Sequence, residues 1–284
     1  MHELPLVIFT LFMQASVGCL VITLLCYFRL FGSKDPQIAM KWVRAPLIAS
    51  FLLGCAGLLG SLFHMGNPLH MFYTLMHVSS SWMSREVLAT AVYMGLLFLS
   101  VALLLLKQKV NGLLLLLSAA AGLVYMYAMS ALYADTLFTL WSGLFTFAGF
   151  AGTMLLTGGI ISALLLVTAL GYAREDELIR RVVKIALAAG VAGLLLMLLG
   201  ALSLLGNIGE PIYTGMTPRA MPEGLLSLNI IRVVLIGLGL FFAGRLLCQK
   251  QAEITNATLI MSLATACVFA GEAVGRVVFF SLGG

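Results

Sequence analysis

Long apolar runs broken by short polar connections set the pattern of this chain. Eight of them stand out, near residues 5–28, 44–64, 87–106, 112–133, 141–170, 183–205, 228–247 and 257–280. A helix needs roughly 20 mainly apolar residues to cross a bilayer, where lipid offers no partner for backbone N–H and C=O groups. The period-two alternation of a membrane barrel is absent. Runs rich in Leu, Ala and Val read instead as helices apolar on all sides. The expected fold is therefore all-α: a polytopic membrane protein with eight transmembrane helices.

Composition agrees. Of the 284 residues, 62% are hydrophobic and 10% charged, against about 25% charged in soluble domains. Glu3 is followed by no further charge until Arg29. A secretory leader carries its positive charge ahead of the apolar core, so the first run reads as a retained helix. Cys19, Cys26, Cys55, Cys248 and Cys267 are scattered in or at the ends of spans without CxxC spacing. They read as small packing residues rather than ligands of zinc or an iron–sulfur cluster.

Charge sets the orientation. Arg29, Lys34, Lys41 and Arg44 follow the first span, Lys107 and Lys109 the third. Arg174, Arg180, Arg181 and Lys184 follow the fifth, Arg245 and Lys250 the seventh. Twelve of the sixteen basic residues thus fall on one side. The opposite side offers Arg85 and Arg219, with Arg232 and Arg276 in or near spans. Short basic loops stay in the cytoplasm, which places both termini outside. The net charge of +5 is explained by this topology without nucleic acid.

A faint repeat accompanies the pattern: LLGSLFHMGN (58–67) aligns without a gap on LLGALSLLGN (198–207). The offset equals four helices and suggests two halves, 1–135 and 136–284. One short match in a Leu-rich chain is compatible with duplication and with chance.

Isolated ionisable groups cost roughly 2.5–3.5 kcal/mol at the centre of a spanning helix, so those retained invite explanation. Three of the four histidines, His64, His70 and His77, fall in GSLFHMGNPLHMFYTLMHVSSSWMSREVL (60–88), which ends on Arg85–Glu86. His64 closes the second span, and Gly66 and Pro68 stop the helix behind it. By itself it reads as an interfacial histidine bonded to a loop carbonyl. Glu86, at similar depth, changes that reading. An imidazole and a carboxylate near one boundary can accept the two hydroxyl protons of a quinol as its electrons leave. The plainer readings are a favourable charge at a helix start for Glu86 and a snorkelling side chain for Arg85. His70 and His77, seven apart, suit one face of a short interfacial helix. Haem b is not expected, because bis-histidine ligation needs imidazoles on facing helices and the later spans contain none. Histidine with a different axial group stays open. In GEAVGRVVFF, Glu272 and Arg276 stand four apart and are expected to form a structural ion pair. Gly271 and Gly275 offer a small-xxx-small face for a neighbouring helix.

HELPLVIFTLFMQ at the amino terminus, FHMGNPLHMFYTLMHVSSSWMSREVLA in the first outer loop and GEAVGRVVFF near the end together resemble the membrane-anchor subunit of dimethyl sulfoxide reductase. The resemblance implies an integral subunit in the bacterial cytoplasmic (inner) membrane with both termini periplasmic. It implies partnership in a heterotrimer with an iron–sulfur electron-transfer subunit and a molybdopterin catalytic subunit. Menaquinol would be the substrate of this chain, with His64 and Glu86 at the quinol site and Arg85 beside them. No haem, metal or cluster would be bound by this chain, and no activity is expected of it alone. Competing readings are a secondary transporter built from two four-helix repeats, coupling through Glu272, Arg276 and Arg232, and a purely structural anchor without a quinone pocket.

Overall fold

A computed structural model describes residues 4–63, 75–141, 143–204, 213–214, 217–218, 224–248 and 254–282. Eight long helices account for most of them: α1 Leu4–Cys26, α2 Pro36–Leu62, α3 Trp82–Lys107, α4 Gly112–Ala134, α5 Leu144–Ala173, α6 Asp176–Ser203, α7 Leu225–Cys248 and α8 Ile254–Ser281. All eight are long and apolar enough to cross a membrane. A π-helical turn, Tyr27–Phe31, extends α1, and a two-residue antiparallel pairing joins Tyr213–Thr214 to Thr217–Pro218.

Two helices start well before their apolar runs. α2 begins at Pro36, where Asp35 caps the helix by accepting a 2.7 Å bond from the Gln37 N–H and proline occupies the first turn. Proline suits that position because its missing N–H would have had no helical partner. α6 begins at Asp176, with Asp176 and Glu177 in its first turn, where negative charge meets the positive end of the helix dipole. Glu177 also pairs with Arg181 one turn on, at 3.0 Å. Both helices therefore project their first turns beyond the apolar layer. At the same end, Lys34 reaches Glu175 at 3.2 Å and ties the α1–α2 connection to the α5–α6 connection.

The bundle is organised around α1 and α5, whose most apolar stretches are 78% and 67% buried. These two pack on each other, α2 covers α1, and α6 covers α5. The pairs α3–α4 and α7–α8 close the two flanks, with α8 also resting on α5. The neighbour pattern among α1–α4 recurs among α5–α8.

The α1–α5 seam is set by Gly18 and Gly158. A Cβ on Gly158 would collide with the Gly18 carbonyl carbon, and one on Gly18 would collide with the Met154 carbonyl oxygen. Without side chains the two backbones touch, which is how helices gain packing contact when lipid supplies no hydrophobic drive. Interhelical hydrogen bonds reinforce the core. Ser16 donates to the Ser50 carbonyl at 2.6 Å and shares a 2.7 Å bond with the Tyr93 hydroxyl. Thr23 bonds Ser162 across the seam at 2.9 Å.

Candidate functional site

The first cluster of interest begins at α3. The helix starts at Trp82, so Glu86 lies in its second turn and the first turn holds no acidic residue. A helix dipole acts within the first turn, which removes most of the plain reading of Glu86 as a terminal charge. Its side chain turns inward. Glu86 is only 6% exposed, and Oε1 is buried with no hydrogen-bond partner among the described residues. On α4, Tyr125 stacks on Tyr93 of α3 at a centroid separation of 6.2 Å. A buried polar atom is ordinarily satisfied, and this oxygen is one of three buried side-chain atoms among the described residues left without a partner, with Gln14 Nε2 and Asp176 Oδ1.

Arg85, the preceding residue, faces elsewhere. Its Nε donates to the Val78 carbonyl at 2.9 Å and Nη2 to the Ser79 carbonyl at 2.7 Å. The guanidinium lies 4.3 Å from the Trp82 ring centroid and lines an apolar crevice of about 420 Å³ with Trp82, Val92, Val124 and Tyr127. It pins the connection leading into α3 rather than snorkelling freely. Arg85 and Glu86 are thus adjacent in sequence but serve different faces of the helix. His77 is exposed and ends a 3₁₀ turn, Leu75–His77. His2, His64 and His70 lie outside the described residues, so the separation of His64 from Glu86 is not part of the geometry.

The second cluster corrects an expectation. Glu272 and Arg276 do not form the direct ion pair that their spacing suggests. Glu272, fully buried, takes Arg232 of α7 instead, with Nη2 at 3.2 Å from Oε1 and 3.1 Å from Oε2. The physical reason is Gly275, where a Cβ would have collided with Arg232 Nε. The gap seats the Arg232 side chain on α8. Gly271 likewise lets α7 approach, since a Cβ there would meet the Arg232 carbonyl oxygen at 3.1 Å.

Arg276 is turned toward α1 and α5. Its Nη2 donates to Gln14 Oε1 at 2.7 Å and to Thr153 Oγ1 at 2.9 Å, and Thr153 donates onward to Glu272 Oε2 at 2.6 Å. One threonine hydroxyl therefore stands between the two charges. The guanidinium also lies 4.1 Å from the Phe150 ring centroid, a favourable cation–π arrangement. Gln14 and Thr153 escaped the sequence reading. An amide inside a run as apolar as α1 was the available signal for Gln14; nothing in the sequence marks Thr153.

Among the described residues, no group of three or more His, Cys, Asp or Glu comes together as a metal site would require. Cys19 and Cys26 are buried thiols, and Cys19 directs its Sγ to the Pro46 carbonyl at 3.6 Å.

An eight-span helical bundle with an unpartnered buried carboxylate near one end, and a charge cluster held among four helices, is that of a polytopic membrane protein. Over residues 1–282 the chain matches the family described as the DMSO reductase anchor subunit (DmsC), and it belongs to that family. It is 31% identical to the anaerobic dimethyl sulfoxide reductase chain YnfH of Escherichia coli K12, covering 99% of this chain and 95% of the relative. The C chains of the anaerobic dimethyl sulfoxide reductases of Haemophilus influenzae and Escherichia coli K12 are 26% and 27% identical to it, each with 99% and 95% coverage. No solved structure gives a significant match.

Proposed function

We propose that this chain oxidises menaquinol in the bacterial inner membrane and passes the electrons to an iron–sulfur subunit, which feeds a molybdopterin catalytic subunit. The relatives are named as chains of anaerobic dimethyl sulfoxide reductases, which supports an S-oxide or N-oxide as final acceptor. The observation that carries the reading is the buried carboxylate of Glu86 with its unpartnered oxygen. In the sequence His64 follows α2, which ends at Leu62.

Oxidation of one menaquinol releases two electrons and two protons and leaves menaquinone. In this proposal the His64 imidazole takes one hydroxyl proton and the Glu86 carboxylate the other, and both pass them to water at the periplasmic face. Arg85 holds the loop carbonyls of Val78 and Ser79 and so fixes the start of α3, on which Glu86 depends. The two electrons cross to the partner's cluster. At the molybdopterin subunit, two electrons and two protons convert an S-oxide to a sulfide and water. Both termini lie in the periplasm in this arrangement. The repeated neighbour pattern of α1–α4 and α5–α8 supports two halves, 1–135 and 136–284, with the quinol site in the first.

The test replaces His64 or Glu86 with glutamine in the assembled complex. Menaquinol-dependent reduction is lost, while complex yield and reduction from an artificial soluble donor are retained. Normal menaquinol oxidation in both variants would leave a structural anchor without its own quinone pocket. The transporter reading is weakened by α8, which runs unbroken from Ile254 to Ser281 through both of its charged residues, since coupling sites sit at interrupted helices.

A further inference from the structure

A cavity of about 310 Å³ opens among α5, α6, α7 and α8. Its walls are apolar and aromatic, including Phe145, Phe150, Met197, Leu204 and Phe279, and its polar lining comprises Asn229, Arg232 and Arg276. Arg276 is 3% exposed. Both of its hydrogen bonds leave from Nη2, so Nη1 and Nε have no acceptor among the described residues. Arg232 brings a second guanidinium, and Glu272 answers it with the one carboxylate of the cluster. Gln14 adds to the imbalance, because its Oε1 is taken by Arg276 while its Nε2 is buried without a partner among the described residues. The cluster is therefore rich in donors and carries one positive charge more than the described side chains neutralise.

A buried charge without a counter-ion is costly, and a guanidinium with free N–H groups matches the oxygens of a phosphate. The N-terminal turn of α7 adds to the same field, since Leu225, its first residue, lines the cavity and the N-terminal end of a helix dipole is positive. The cavity also has a route to lipid. α6 and α7 touch far less than α5 touches α6 or α7 touches α8. On these two helices Leu198 and Leu202 of α6 and Leu226 and Ile230 of α7 are exposed. A neutral quinone would satisfy the donors without cancelling the charge. A free anion would leave the apolar walls empty.

We propose that this cavity holds the phosphate of an anionic phospholipid against Arg276 and Arg232, with its acyl chains lying along the opening between α6 and α7. The site is separate from the quinol site proposed on α3, and its test needs no turnover.

The complete complex is purified in mild detergent and its bound lipid identified by native mass spectrometry. The wild type retains an anionic phospholipid. Arg276→Gln lowers that occupancy by at least about tenfold, equivalent to about 1.4 kcal/mol. Because Arg276 also bonds Gln14 and Thr153, a second variant guards against misfolding. Gly149 lines the cavity and a Cβ added there meets nothing within 4 Å, so Gly149→Leu fills the space without backbone conflict. It assembles normally and loses the lipid. In thermal unfolding, added phosphatidylglycerol stabilises the wild type, whereas phosphatidylcholine and inorganic phosphate do not. Lipid retention undiminished in Gly149→Leu, a quinone recovered from the cavity instead, or equal stabilisation by inorganic phosphate would each overturn the proposal.

Discussion

Glu272→Ala should be among the most damaging single substitutions in the chain. The carboxylate is fully buried and accepts from Arg232 at 3.1 and 3.2 Å and from Thr153 at 2.6 Å. Removing it strands the Arg232 guanidinium, whose side chain is 21% exposed, and takes the nearest counter-charge from Arg276. Breaking a buried pair by deleting one partner costs about 3–5 kcal/mol, a large share of the roughly 5–15 kcal/mol that holds a typical fold together. The amount of assembled complex in membranes should therefore fall severalfold, and unfolding in detergent should begin at a lower temperature. Glu272→Gln keeps the shape and one acceptor, and should cost about 1.5–3 kcal/mol through the lost charge-assisted bonds. The decisive comparison is the double variant Arg232→Met with Glu272→Leu. With neither charge left behind, it should recover at least half of the loss, as apolar replacement of a buried pair does elsewhere. A double variant no better than Glu272→Ala, or a Glu272→Ala complex that assembles fully, would refute the assignment of this pair as the lock between α7 and α8.

Three further outcomes follow from the same geometry. Gly158→Leu drives a side chain into the α1 backbone at Gly18 and should abolish stable assembly, whereas Gly95→Ala, where a Cβ meets nothing within 4 Å, should be silent in the same yield assay. Tyr93→Phe removes the 2.7 Å bond to Ser16 and should cost about 0.5–1.5 kcal/mol, visible as a small drop in thermal midpoint with assembly retained. Alkaline phosphatase fused after α8 should be active and a fusion after α7 inactive; the reverse would invert the topology drawn from the basic loops.

The eight helices are legible in the sequence because lipid leaves the backbone no alternative to internal hydrogen bonding. Their ends are less so. Hydropathy stops at the edge of the apolar layer, while α2 and α6 run on because Asp35, Pro36 and Asp176 are suited to helix starts. Glu86 could be singled out from its isolation in a greasy segment, and its burial follows the inward face of α3. That Arg85 would turn to the loop carbonyls could not be read, since adjacent residues look alike until the helix phase is fixed. Glu272 and Arg276 show the limit most clearly. Spacing along one helix predicts a neighbour, but it cannot register that Gly275 leaves a seat for an arginine forty residues upstream of Glu272. Contacts between helices are set by the packing of the whole bundle, and Thr153 became visible only through it.

The central position of α1 bears on how the protein is made. Gln14 meets Arg276 on α8, and Thr23 meets Ser162 on α5, so α1, made before either helix, waits for later ones to satisfy its polar groups. During that interval it carries an amide and hydroxyls that hydrocarbon cannot solvate. Biogenesis therefore calls for a holding partner, an insertase cavity or an early hairpin with α2, until α8 arrives and completes the bonds. A chain released before α8 would leave that amide without its guanidinium and become a substrate for membrane proteases.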